Sequence, residues 1–179
     1  FTAGAYLDSP EEEFVEMILV IAAQTELENQ TWPVSEPALP NTAAYAPYGV
    51  WEGVLVAGGL TANFDRFNLQ IDNQLLIKAR NSLTPNCIRS QGRVVRLQTI
   101  NPFISDTIDK AYSLWSTGAS GTLTFTNATL STQFSFPDLR NEFETPTVQS
   151  KGEIPLTLNL EAARTTSLPE ITVVNDSTP

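Results

Sequence analysis

Phe67, Leu69 and Ile71 alternate with Arg66, Asn68, Gln70 and Asp72, a period of two that predicts a strand with one buried face. Asp72-Asn73 reads as a turn, from which residues 75–79 return. After Gly92 the rhythm recurs over 93–100: Val95, Leu97 and Thr99 alternate with Val94, Arg96 and Gln98, and Asn101-Pro102 closes the run. Residues 121–127 place Leu123 and Phe125 inward, and residues 130–136 place Phe134 and Phe136 inward. Asn127-Ala128-Thr129 joins these two as a hairpin, and Phe136-Pro137-Asp138 ends the second strand. In 154–162, Leu156, Leu158 and Leu160 alternate with Thr157, Asn159 and Glu161. Residues 50–57 form an apolar strand ending at Gly58-Gly59, and 171–174 add a last short one.

One segment breaks this rhythm. Ile108, Ala111, Tyr112, Leu114 and Trp115 recur at three- and four-residue spacing, Ser105 or Asp106 can cap, and Gly118 can terminate. The spacing predicts a helix over 106–117 whose apolar face, Trp115 included, covers an open side of the sheets. Upstream, 14–23 fits a helix capped by Ser9 and Pro10, with Glu11, Glu12 and Glu13 at its N-terminus. It also fits a buried strand, which its β-branched Val15, Ile18, Val20 and Ile21 favour. Residues 24–48, with Pro33, Pro37, Pro40 and Pro47, read as a long loop. Such a loop is either an arm that reaches a neighbouring subunit or an excursion packed on its own domain. The expected fold is mainly β: a two-sheet β-sandwich or barrel of about eight to ten strands with one flanking helix. Residues 1–49 are expected to supply a strand and the long arm, and 50–179 the sandwich domain.

Composition agrees with this class. The chain has 179 residues, 41% hydrophobic and 17% charged, with 12 Pro and 9 Gly as punctuation, a size and balance suited to one β-rich domain with a sizeable core. Its start at Phe1 reads as a fragment, a processed product or the later part of a longer subunit. No histidine is present, which excludes His-based triads, His-ligated zinc and imidazole switches. Cys87 is the single cysteine, so no intrachain disulfide can form. The longest apolar run, 17–23, is far short of the roughly 20 residues of a membrane span, and no signal peptide is visible.

The net charge of −10 is unevenly placed. Residues 1–65 carry ten acids and no Lys or Arg, 66–110 carry a net +4, and 111–179 a net −4. Either acidic surface on one copy meets the basic middle of the next, or both signs are scattered over a solvated surface. Arg66, Arg80, Arg89, Arg93 and Arg96 are the candidate interface residues. An acidic chain is a poor grip for nucleic acid.

Candidate chemistry is thin. Glu11, Glu12, Glu13 and Glu16 offer carboxylates but no ligand loop at fixed spacing. Glu142 and Glu144, with Asp138 nearby, mimic a glycosidase pair of the kind that arises by chance in acidic chains. Cys87 has Arg89 two residues away but no His as base. No Gly-rich phosphate loop occurs. The sequons at Asn29, Asn127 and Asn175 are expected by chance in a chain this rich in Asn, Ser and Thr. No catalytic, cofactor or metal residue is assigned, and the reading is of a binding or assembly module, not an enzyme.

The order of features is similar to the C-terminal half of tail tube proteins of long-tailed bacteriophages. WEGVLVAGG precedes FNLQIDNQL, which runs into LTPNCIRSQGRVVRLQT, the helix DTIDKAYSLWSTG, the hairpin GTLTFTNATLSTQFSFP and the strand EIPLTLNLEAAR. The resemblance covers most of 50–164. It implies a virion subunit, assembled in the bacterial host cytoplasm, that joins copies of itself into hexameric rings. The rings stack head to tail, contact other tail proteins, and pass DNA through the lumen without specific binding. Open strand edges completed by neighbours fit that picture. The other reading is a monomeric β-sandwich module that binds a ligand such as carbohydrate, which would place Trp32, Trp51 or Trp115 in solvent.

Overall fold

The computed structural model describes residues 2–9, 14–21, 48–62, 64–78, 87–103, 105–127, 130–142 and 154–176. Among them are twelve strands and one α-helix: β1 (Thr2–Ser9), β2 (Glu16–Ile21), β3 (Gly53–Ala57), β4 (Leu60–Ala62), β5 (Arg66–Asp72), β6 (Leu75–Lys78), β7 (Cys87–Ser90), β8 (Val94–Pro102), α1 (Ser105–Thr117), β9 (Ala119–Asn127), β10 (Leu130–Asn141), β11 (Pro155–Ala163) and β12 (Thr172–Asp176).

The main ladder runs β2-β1-β5-β8-β11-β10-β9-β3-β4, with β12 also on β10. Every pairing in it is antiparallel. It bends at one corner. β11 pairs with β8 from Pro155 to Ala162, but with β10 only from Leu160 to Ala163, opposite Asp138–Asn141. The first half of β10 is bordered instead by β12, at Ser131–Ser135. Two layers result: β2-β1-β5-β8-β11 and β12-β10-β9-β3-β4. Phe67 on β5 and Phe125 on β9 stand four places apart along the ladder, roughly 19 Å on a flat sheet. Their ring centroids are 5.1 Å apart, so the layers face each other, as in a sandwich. The ladder ends at β2 and β4 without joining them, so the barrel alternative is ruled out and the sandwich stands.

The core follows from the alternation. Phe67, Leu69, Val95, Leu97, Leu123, Phe125, Phe134, Phe136, Leu156, Leu158 and Leu160 are all buried, each at the inward position its strand's period assigned. Thr99 and Asn101 continue the inward row of β8, and the Asn101 amide donates to Thr99 Oγ1 at 2.8 Å. Gly58 and Gly59, with φ of 55° and 82°, form the two-residue turn that pairs Ala57 with Leu60, a conformation that favours glycine at both places.

The helix begins at Ser105 and stops at Gly118, whose φ is 68° and whose N–H donates to the Leu114 carbonyl at 3.1 Å. It packs on β10 and β4 through Ala111 and Leu114, both fully buried. Trp115 does not join them: it is 59% exposed, and Tyr112 is 46% exposed. The covered stripe is narrow and centred on Ala111 and Leu114, and Trp115 falls on its shoulder.

Other expectations are corrected. β10 does not end at Phe136-Pro137-Asp138 but runs on to Asn141. Its register against β9 shifts between Phe136 and Leu139, and such a bulge tolerates a residue without an N–H. Residues 75–78 do not return along β5; they pair with β7. β1, which no sequence pattern announced, fills the place between β2 and β5. Strand β2 bears out the strand reading of its segment but is not buried. The loop over 24–48 lies outside the described residues except for Tyr48.

Candidate interaction surfaces

The polar partners of each alternating strand must face away from the core, and register aligns them. Asn68, Gln98 and Asn159 lie abreast on β5, β8 and β11, as do Gln70, Arg96 and Glu161. Gln98 Nε2 donates to Asn159 Oδ1 at 2.7 Å, and Arg96 pairs with Glu161 at 3.5 Å. Glu142, whose N–H donates to the Asn159 carbonyl at 2.7 Å, closes one side. Together these groups line a cleft of about 510 Å³. Its amides and ion pair can exchange hydrogen bonds with a polar ligand, and it holds no nucleophile–base pair.

The described candidate arginines, Arg66, Arg89, Arg93 and Arg96, are spread over different segments. Arg66 opens β5 and Arg96 faces out from β8, but four residues of strand separate their rows. Arg89 is on β7, and Arg80 lies outside the described residues. Arg93 donates to Asn73 Oδ1 at 2.9 Å and pairs with Glu170 at 3.8 Å. Arg93 and Arg96 thus already hold carboxylates of their own chain.

β6 and β7 form a separate two-stranded ribbon. At its root Gln74 takes φ 44°, its N–H donates to Asp72 Oδ1 at 2.8 Å, and Gln91 N–H donates to the Gln74 carbonyl at 3.1 Å. This redirects the chain where a return turn was expected. Register puts Leu76, Lys78 and Arg89 on one face and Leu75, Ile77 and Ile88 on the other. Lys78, Arg89 and Ile77 are exposed. Lys78 was missed by the arginine-centred reading of the sequence.

At the other extreme, β2 pairs only with β1 among the described residues. Its Met17, Ile18, Leu19 and Val20 are all about half exposed, on both faces of the strand, beside exposed Glu16. Phe14 just before it is exposed too and lies 6.0 Å from the Trp51 ring, which is 63% exposed. An apolar run in sequence gives no sign of this, because core and interface strands share composition.

Those of the remaining candidates that are described do not gather into a centre. Asp138 pairs with Arg140 at 3.2 Å, while Glu144, Glu11, Glu12, Glu13, Trp32 and the Asn29 sequon lie outside the described residues. Asn127 ends β9, Asn175 is in β12, and Cys87 opens β7. Among the described residues no group of His, Cys, Asp and Glu is placed to hold a metal, and no helix is long and apolar enough to cross a membrane. In comparisons with known proteins, no family model and no curated sequence matches the chain.

Proposed function

We propose that the chain is a structural subunit of a phage tail tube, acting in the virion tail. Copies join side by side into rings, six to a ring in the pattern of the family it resembles. The rings stack head to tail around a channel for DNA. The observation that carries this reading is the half-exposed apolar strand β2, which ends the ladder and has one open side among the described residues. A bare edge of that kind is an aggregation hazard unless a partner covers it. The projecting β6–β7 ribbon and the order of sequence motifs support it further. A net charge of −10 suits a conduit, since acidic walls repel phosphate and leave the passing DNA ungripped.

Electron microscopy of the purified protein tests it. Rings or tubes roughly 10 nm across, the size expected for a ring of domains this large, are the expected result; single particles at every concentration and salt overturn it. A second reading, a monomeric carbohydrate-binding module, is favoured by one observation. Trp51 and Trp115 stand in solvent, and the outer sheet face carries the amide-lined cleft. Binding of oligosaccharides by a protein that never assembles would establish that reading instead.

A further inference from the structure

We infer that the β6–β7 ribbon of one copy docks on the β2 edge of another, a contact that deepens the assembly reading and rests on it. Among the described residues, two elements lack the packing that strands require. The ribbon's strands pair only with each other among the described residues, and a two-stranded hairpin alone is marginal in water. Among the same described residues β2 has one paired side, one open side and two faces with exposed apolar side chains.

Their chemistry is complementary. The described ribbon carries Lys78 and Arg89 and no acid, with Ile77 exposed on its opposite face. β2 opens with exposed Glu16, follows Glu11-Glu12-Glu13 in the chain, and belongs to the block of 65 residues without a single Lys or Arg. Apolar contact supplies the attraction and opposite charge selects the pairing. A β2-to-β2 contact would lack the basic side, and ribbon-to-ribbon contact would set like charges together. Within one copy the two elements make no extended contact. Because they are different surfaces, each copy both gives and receives, and such heterologous contacts generate rings or filaments.

Paired cysteines test the contact. In a Cys87→Ser background, Leu19→Cys and Ile77→Cys are introduced singly and together, and the full chain is oxidised with copper phenanthroline after assembly. The expected result is a ladder of intermolecular disulfides from the double variant and little from either single one. Tubes that form without the ladder overturn the contact and leave the tube reading intact. A ladder of soluble oligomers without tubes supports the contact and overturns the tube. Cross-linking by Leu19→Cys alone shows β2 pairing with itself, and a disulfide confined within single chains shows the ribbon folding on its own edge; either overturns the inference. Mixing the two single variants provides a control for folding, since a cross-link between them needs both to be intact.

Discussion

Asn141 Oδ1 accepts the main-chain N–H of Asn159 at 3.2 Å, and the Asn141 side chain is almost wholly buried. The bond sits at the corner where β10 and β11 hold the two layers together, while the Asn141 amide reaches the Ala111 carbonyl of the helix at 3.5 Å. Asn141→Ala strands a partly buried N–H and should destabilise the fold by about 1–3 kcal/mol. Denaturant unfolding measures that loss, and hydrogen exchange should show the Asn159 amide opening first. An unchanged midpoint would mean the ladder alone holds the corner.

Phe125 meets three rings of the core region, Phe67 at 5.1 Å, Tyr48 at 6.0 Å and Phe134 at 6.5 Å. Phe125→Ala should cost about 3–5 kcal/mol, read as a fall in thermal midpoint. A loss below about 1 kcal/mol is incompatible with the two layers closing over this ring.

Trp115 offers the opposite case. A core tryptophan truncated to a small residue costs about 3–5 kcal/mol, whereas an exposed one changes stability by roughly 0.5 kcal/mol or less. Trp115→Ser should fall in the second class, and acrylamide should quench Trp115 readily in the unassembled protein.

Gly118 ends the helix at φ 68°, and a Cβ there would meet the Asp138 carboxylate and the Leu139 carbonyl. Gly118→Val should cost at least the 1–2 kcal/mol of a left-handed residue. The loss should appear in circular dichroism as fraying of the helix before the sheets unfold.

Charge reversal separates fold from assembly. Lys78→Glu with Arg89→Glu alters exposed ribbon residues and should leave stability within about 0.5 kcal/mol while weakening association, measured by sedimentation. Assembly of the unmodified protein should weaken with salt, since exposed charges are screened over about 10 Å at 0.1 M. Arg93→Glu with Arg96→Glu instead places like charges against Glu170 and Glu161. It should lower stability modestly, by about 1 kcal/mol for such partly exposed pairs.

Much of the sandwich was legible along the chain because its strands bury one face each. The inward sets of β5, β8, β9 and β11 follow directly from alternation at Phe67, Leu97, Phe125 and Leu158, and Gly118 marks the helix end through a local backbone need. Other features carried no such mark. The run TAGAYLDS of β1 is too small and mixed to announce a strand, and is held in place by neighbours on both sides. Pro137 reads as a stop until a bulge accommodates it, and Asp72-Asn73 reads as a return until Ser90, Gln91 and Arg93 hold the redirected root.

Local alternation and helical spacing, then, determined the class of fold, the identity of most core residues and the absence of histidine chemistry, since these depend only on residue type and near neighbours. Tertiary structure alone decided which apolar strand is left bare, that Trp115 misses the core, and that Arg93 and Arg96 are engaged while Lys78 and Arg89 stand outward. Those outcomes turn on which distant segments meet, and a side chain's hydrophobicity is the same whether its covering surface comes from its own chain or is still to arrive.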